Sequence, residues 1–164
     1  DLWHICDRGQ QVPDYQARID FTTVNNLIAA LGTDSSPVLT EYLLRYDPDA
    51  RRYGTVVEAL VDKALAYYRD FVLPSLCRRP PRADERQWLR QLQEALAATD
   101  AADEEALQAL PFAVARQVGV PPADLFRCFY EVVFGQERGP RFGSFVALVG
   151  KAQVQRMIGQ RLEA

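Results

Sequence analysis

Few residues in this chain have the type and spacing that chemistry needs. The single histidine, His4, stands close to Cys6 and Asp7. A zinc site takes four ligands at workable geometry, and the other cysteines, Cys77 and Cys128, lie far along the chain. No metal is therefore expected, and no disulfide framework. One histidine also rules out a His-based metal cluster, and no Ser-His-Asp set can be argued around it. Gly150-Lys151 lacks the Ser or Thr that completes a phosphate-binding loop, and no strand precedes it. Glu104 and Glu105 are neighbours on a helix, so they do not face each other and read as a solvated helix start. The chain by itself is expected to carry no catalytic residue.

Basic residues are more suggestive. Arg51-Arg52-Tyr53 precedes the longest helical pattern, and Arg78-Arg79 and Arg82 sit in a Pro-rich connector. Each pair can be a solvated basic loop or a grip on phosphate. The third place is Arg138-Gly139-Pro140-Arg141-Phe142, where two arginines flank a Gly-Pro turn that opens a helix. A helix start offers free N–H groups to an anion, and Arg138 and Arg141 add charge and planar stacking faces. Phe142 could stack on a base or belong to the core. From Ala106 onward, seven cations (Arg116, Arg127, Arg138, Arg141, Lys151, Arg156 and Arg161) face four acids, Asp124, Glu131, Glu137 and Glu163. This third is net positive inside a chain of net charge -3. An acidic total argues against wholesale nucleic-acid binding, so any such contact must be a local patch. Only Lys63 and Lys151 among the 19 cations are lysines. Coding bias explains that, and it also suits phosphate recognition.

The elements that would position these residues are helical throughout. The 164 residues, 48% hydrophobic, suffice for one ordinary domain or two small ones. Asp20 caps a helix with Val24, Leu27, Ile28 and Leu31 inside, stopped by Gly32. Ser36-Pro37 starts a second, with Ser36 as cap, ended by Asp47-Pro48. A long third runs from about Thr55 to Leu73, with Val56, Val57, Leu60, Ala64, Leu65, Tyr68 and Val72 on one face. Pro74 ends it, and Cys77 to Arg82 cannot be helical. Asp84 caps a helix carrying Trp88, Leu89, Leu92 and Leu96. Asp100 to Glu105 opens the next, which Pro111 should kink and Gly119 stops. Pro121-Pro122 opens a helix closed by Gly135. Pro140 takes the first position of a helix with Phe142, Phe145, Val146 and Val149 inside, and Lys151 to about Leu162 is the last. No segment alternates as a strand does. The expected fold is an all-α multi-helical bundle of about seven or eight helices, in two parts, 1–82 and 83–164. No apolar run is long enough for a membrane span, and no signal peptide stands at Asp1. The sequence starts without a methionine and reads as a piece of a longer cytoplasmic protein with reduced thiols.

The run Phe126-Arg127-Cys128-Phe129-Tyr130, then Gly135-Gln136-Glu137-Arg138-Gly139-Pro140-Arg141-Phe142-Gly143-Ser144-Phe145 and on to Gly150-Lys151, resembles the C-terminal block of class I lysyl-tRNA synthetases. Related glutamyl enzymes end similarly, with a short turn, a Gly-Pro or Thr-Pro pair and an apolar helix. Ile19-Asp20-Phe21, Tyr46-Asp47-Pro48, Tyr67-Tyr68 and Phe112-Ala113-Val114-Ala115 extend the likeness. The resemblance implies the α-helix cage that binds the anticodon. Its partner would be tRNA(Lys), with no membrane or DNA partner. It implies no cofactor in this fragment, since ATP and Mg2+ belong to a catalytic domain whose signature motifs this sequence lacks. Matching the Gly-Pro turn implies anticodon contacts at Tyr130, Arg138, Gly139, Pro140, Arg141 and Phe142. Many glutamyl enzymes have Arg where Tyr130 stands, which puts a charged contact there in doubt. Arg51, Arg52, Arg78 and Arg79 are weaker candidates for the tRNA backbone. The alternatives are a free-standing helical protein-interaction module and the equivalent domain of a glutamyl enzyme.

Overall fold

The computed structural model describes residues 18–164. The cluster of His4, Cys6 and Asp7 lies outside the described residues. Eight α-helices follow one another, with no strand among the described residues. Helix α1 spans Phe21–Leu31. The Asp20 carboxylate accepts from the Thr23 N–H at 2.7 Å and so caps it. Gly32 stops it in the left-handed conformation, φ +61°, which a side chain would resist. Helix α2 spans Ser36–Tyr46, with Ser35 rather than Ser36 at the cap and Pro37 inside the first turn. Asp47 ends α2 and its carboxylate caps a 3-10 turn, Pro48–Tyr53, that carries Arg51 and Arg52.

Helix α3 is Gly54–Tyr67. It continues in wider π-type turns over Tyr68–Val72 and a 3-10 turn over Leu73–Ser75, so the winding runs past the expected end at Leu73 to Ser75. Its buried stripe is Val57, Val61 and Ala64, while Val56 faces out. The expected face holds at Val57 and Ala64, with Leu60, Leu65 and Tyr68 packed against the core, but it included the exposed Val56 and missed the buried Val61. Helix α4 spans Ala83–Ala98 and starts one residue before the expected cap. Arg82 holds the cap position, Asp84 lies within the first turn, and the Glu85 carboxylate accepts the Arg82 N–H at 2.9 Å. Helix α5, Glu104–Val118, is capped by Asp103 and runs on through a buried Pro111. Helix α6, Pro122–Phe129, passes into a π-type turn, Tyr130–Phe134, that Gly135 ends at φ +75°.

Helices α7, Phe142–Val149, and α8, Lys151–Glu163, complete the chain. Arg141 occupies the α7 cap, so Pro140 lies ahead of the helix instead of at its first position. Six of the eight α7 residues are buried. That composition suits a central element, and α7 packs against α1, α2, α5 and α8. Around it, α4 packs on α8 and α5, and α1 and α2 pack on α3. The rings of Phe129, Phe134, Phe142 and Phe145 meet edge to face at 5.0–5.7 Å between centroids, where edge and face charges attract. No helix among the described residues is long and apolar enough to cross a membrane.

Candidate nucleic-acid interface

The Gly-Pro turn is shaped from the helix before it. The π-type turn carries the half-buried Tyr130, whose hydroxyl donates to the Pro140 carbonyl. Burial pushes this phenol up to about 12, so it stays a neutral donor at physiological pH. Gly139 lies flat on the Tyr130 ring, and a side chain there would collide with ring carbons. The Gln136 N–H donates to the Tyr130 carbonyl at 3.3 Å. Tyr130 thus braces both ends of the loop, while Arg138 and Arg141 extend from its exposed rim. No ion pair engages Arg138 among the described residues.

The start of α7 is sealed by α5. Gly143 donates its N–H to the Gln108 side-chain oxygen at 2.8 Å, and the Ser144 hydroxyl donates to Glu104 at 2.9 Å. Glu104 also accepts from the Arg18 guanidinium at 2.7 Å and from the Tyr46 hydroxyl at 3.3 Å. Burial first, then the Glu104 charge, raises the Tyr46 phenol. Glu105 pairs with Arg141 at 2.7 Å, an exposed bridge of small energetic weight. Glu105 is thus solvated as expected, while Glu104 instead anchors the start of α7. One α7 N–H that an anion would need is already taken by Gln108.

Gly143 makes this closeness possible. A Cβ there would overlap the Glu104 carbonyl oxygen and come within 2.9 Å of the Gln108 nitrogen. Backbone cannot yield as a side-chain tip can. Gly143→Ala is expected to cost about 2 kcal/mol by forcing α5 and α7 apart. A urea titration followed by circular dichroism measures it, and an unchanged midpoint would show that the junction is looser than this.

The remaining sequence-predicted residues divide sharply. Phe142 is fully buried and offers no face to a base. Arg79 binds Glu85 through both terminal nitrogens, at 2.7 and 2.9 Å, and Glu131 through Nε at 2.6 Å. Those partners hold its guanidinium well above the usual range. Arg78 is exposed and meets the Gly-Pro segment: its Nε donates to the Val133 carbonyl, and its backbone packs beside Gly135. The Cys77 N–H donates to the Gly135 carbonyl at 3.1 Å, so the connector is stitched to the turn. Arg51 and Arg52 are exposed on a segment that packs against α2 and α3. Sequence reasoning gave no contact role to the exposed rings of Tyr67 and Phe71 or to the half-buried Arg161. On a regular α-helix Phe71 would share the face of Leu60 and Ala64, and the π-type turns over Tyr68–Val72 change that phase, which the sequence did not signal.

The molecule is thus an all-helical bundle with a braced, arginine-rimmed turn, which is the class that comparison with known proteins refines. No family model matches the chain. A lysine–tRNA ligase of Roseobacter denitrificans is 32% identical over 163 residues, 98% of this chain and 31% of that protein. One from Methanopyrus kandleri is 46% identical over 81 residues, 49% of this chain and 15% of that protein. One from Rickettsia conorii is 24% identical over 147 residues, 88% of this chain. The chain is homologous over nearly its whole length to part of the lysine–tRNA ligases, and it spans about a third of the length of the first of these relatives.

Proposed function

We propose that this chain is the anticodon-binding portion of a class I lysine–tRNA ligase, the domain that positions tRNA(Lys) for aminoacylation by an ATP-dependent catalytic domain in the cytoplasm. The observation that carries this reading is the Gly135–Gly143 segment. A motif shared with lysyl enzymes forms an exposed turn that buried groups hold in one shape. Homology to lysine–tRNA ligases along 98% of the chain supports the same reading.

Lysine anticodons are rich in uridine, so recognition calls for splayed bases met by stacking and by hydrogen bonds at their edges. Arg138 and Arg141 supply planar, charged surfaces on the rim. Gly139 and Pro140 present backbone, and Tyr130 fixes their geometry from behind. Arg51, Arg52 and Arg78 are exposed cations suited to phosphates. Arg79 and Phe142 act in the fold.

A filter-binding comparison tests the reading. The chain should bind tRNA(Lys) at least about tenfold more tightly than the same tRNA with a foreign anticodon, and both should weaken with salt. Arg138→Ala should remove about 1–3 kcal/mol of the affinity for tRNA(Lys) if a base stacks on it. Equal binding of the two tRNAs would sink the anticodon assignment. No tRNA binding, with capture of a protein partner instead, would favour the interaction-module alternative.

A further inference from the structure

A second surface begins where the Gly-Pro turn meets α1. Three adjoining hollows, of about 210, 420 and 210 Å³, run side by side along α1, and Ala29 lines all three. Together they follow an eleven-residue helix, about 16 Å. The two ends differ in chemistry. One end is aromatic: Phe21 and Tyr67 line it, and Phe71 adjoins Tyr67 at its edge, in a chain of rings with centroids 5.2 and 5.3 Å apart. All three are exposed, Phe71 by 66%. A ring so far exposed contributes little to the fold, yet it offers a flat face to another ring.

Amides stand beside these rings, from Asn25, Asn26 and Gln136. Asn25 donates through Nδ2 to the Phe21 carbonyl at 3.0 Å, while its Oδ1 is buried and accepts no hydrogen bond from the described residues. A buried acceptor without a donor is costly, and a ligand N–H would satisfy it.

The other end is basic. Arg78 and Arg161 line the last hollow together, and no carboxylate lines it with them. Among the described residues Arg78 bonds through its Nε to the Val133 carbonyl, and its terminal fork meets no partner there. The Arg161 guanidinium, half-buried, has no partner among the described residues. Burial and then the neighbouring Arg78 charge push it below its ordinary value. Two like charges held together without a counter-ion are what a phosphate would relieve. The middle hollow carries Arg69 and one exposed acid, Asp34. Aromatic faces at one end and paired arginines at the other are the combination by which proteins hold single-stranded nucleic acid.

We propose that this groove binds a short single-stranded RNA segment, with a base stacked on Tyr67 and Phe71, a base N–H donated to Asn25, and backbone phosphates clamped by Arg78 and Arg161. The inference rests on the RNA-binding reading above and adds a surface to it, continuous with the turn through Gly135 and Gln136.

Fluorescence anisotropy with a labelled hexauridylate, between 50 and 200 mM salt, tests it. The double variant Arg78→Gln/Arg161→Gln should bind at least about tenfold more weakly, and its plot of log affinity against log salt should flatten by about 1.4, two phosphates at about 0.7 each. Tyr67→Ser/Phe71→Ser should bind about fivefold or more weakly with the salt slope unchanged. Arg161→Lys should restore the slope. If the double variant loses its helical circular dichroism, Arg78→Gln alone, at an exposed side chain, should show half the slope change. The groove is overturned if the wild-type chain ignores the oligonucleotide, or if the arginine variants bind it with wild-type affinity and slope. Whole tRNAs separate the two readings. Anticodon discrimination that survives alongside inert arginine variants overturns the groove alone. Binding that ignores the anticodon but follows Arg78 and Arg161 overturns the anticodon assignment alone.

Discussion

Phe142→Ala is expected to lower stability by about 4 kcal/mol, and to weaken RNA binding only through that loss. The ring is fully buried and meets Phe129 edge to face at 5.4 Å. It sits at the first turn of α7, the helix that packs against four others. Truncation there leaves a cavity whose walls belong to separate helices, each already fixed by its own contacts. Such walls relax little, so the cost should lie in the upper part of the range for a buried aromatic. Phe142→Leu supplies the control. It keeps most of the volume and should cost no more than about 1.5 kcal/mol. Its affinity for tRNA(Lys) should equal that of the wild type at a temperature where both are folded. Urea unfolding gives the first quantity and anisotropy the second. A leucine variant that is stable yet binds RNA poorly would mean that the ring meets a base, and that the buried arrangement opens on binding.

Phe142 also marks where sequence reading ends. The spacing of apolar residues places it on the inner face of its helix, but spacing is equally consistent with an aromatic presented to a base. Burial alone decides, and burial depends on α5 and α2 arriving from distant parts of the chain. Elements were easier to read than contacts. The Asp20 cap, the glycine stops at Gly32, Gly119 and Gly135, and the proline-rich connector all act through neighbours within a few residues, so the sequence displays them directly. The errors also have local causes. Ser35 and Ser36 are equivalent caps by residue type, and the helix before Pro37 chose the earlier one. Pro140 suits a first helical position, yet the Tyr130 hydroxyl holds its carbonyl in a loop instead. The partners of Glu104 and Arg79 were illegible for a different reason. Charged residues look alike in a sequence whether they face water or one another, and these pairs join positions 40 and 52 residues apart. The arginine count in the last third was the useful hint, but it could not say that Arg78 and Arg161 share a cleft while Arg79 is neutralised.

That neutralisation predicts the second large effect. Arg79→Ala should destabilise the fold by about 3 kcal/mol, because it removes the main partner of a buried charge. The Glu85 side chain is 2% exposed, and Arg79 bonds both of its oxygens, with the Arg82 backbone N–H and the Arg82 guanidinium, at 3.0 Å, as further donors. Arg79 itself is a third exposed, so water will repay part of the loss. The hydrogen bonds from Arg79 come first among the causes that hold the Glu85 carboxyl below its usual range, against a smaller opposing effect of burial. The sign with pH follows. A carboxyl whose pKa is lower in the folded state adds stability above its unfolded value, about 4.3, and loses it as pH falls through the folded value. In Arg79→Ala the main partner is gone and only Arg82 opposes burial, so Glu85 should take up a proton more readily than in the wild type. The gap between wild type and variant should therefore be widest near neutral pH and should close in acid. A purely steric role for Arg79 would leave that gap independent of pH, and urea midpoints at pH 7 and pH 4 distinguish the two. Arg79→Met/Glu85→Leu should recover most of the stability at pH 7, since no charge is then left buried. Because Arg79 also reaches Glu131 on the π-type turn, it ties the connector and α4 to the segment that carries Tyr130. The single variant should accordingly weaken tRNA(Lys) binding without removing a phosphate contact. The salt slope would stay at its wild-type value while the affinity falls, the opposite of the result expected for Arg78 and Arg161.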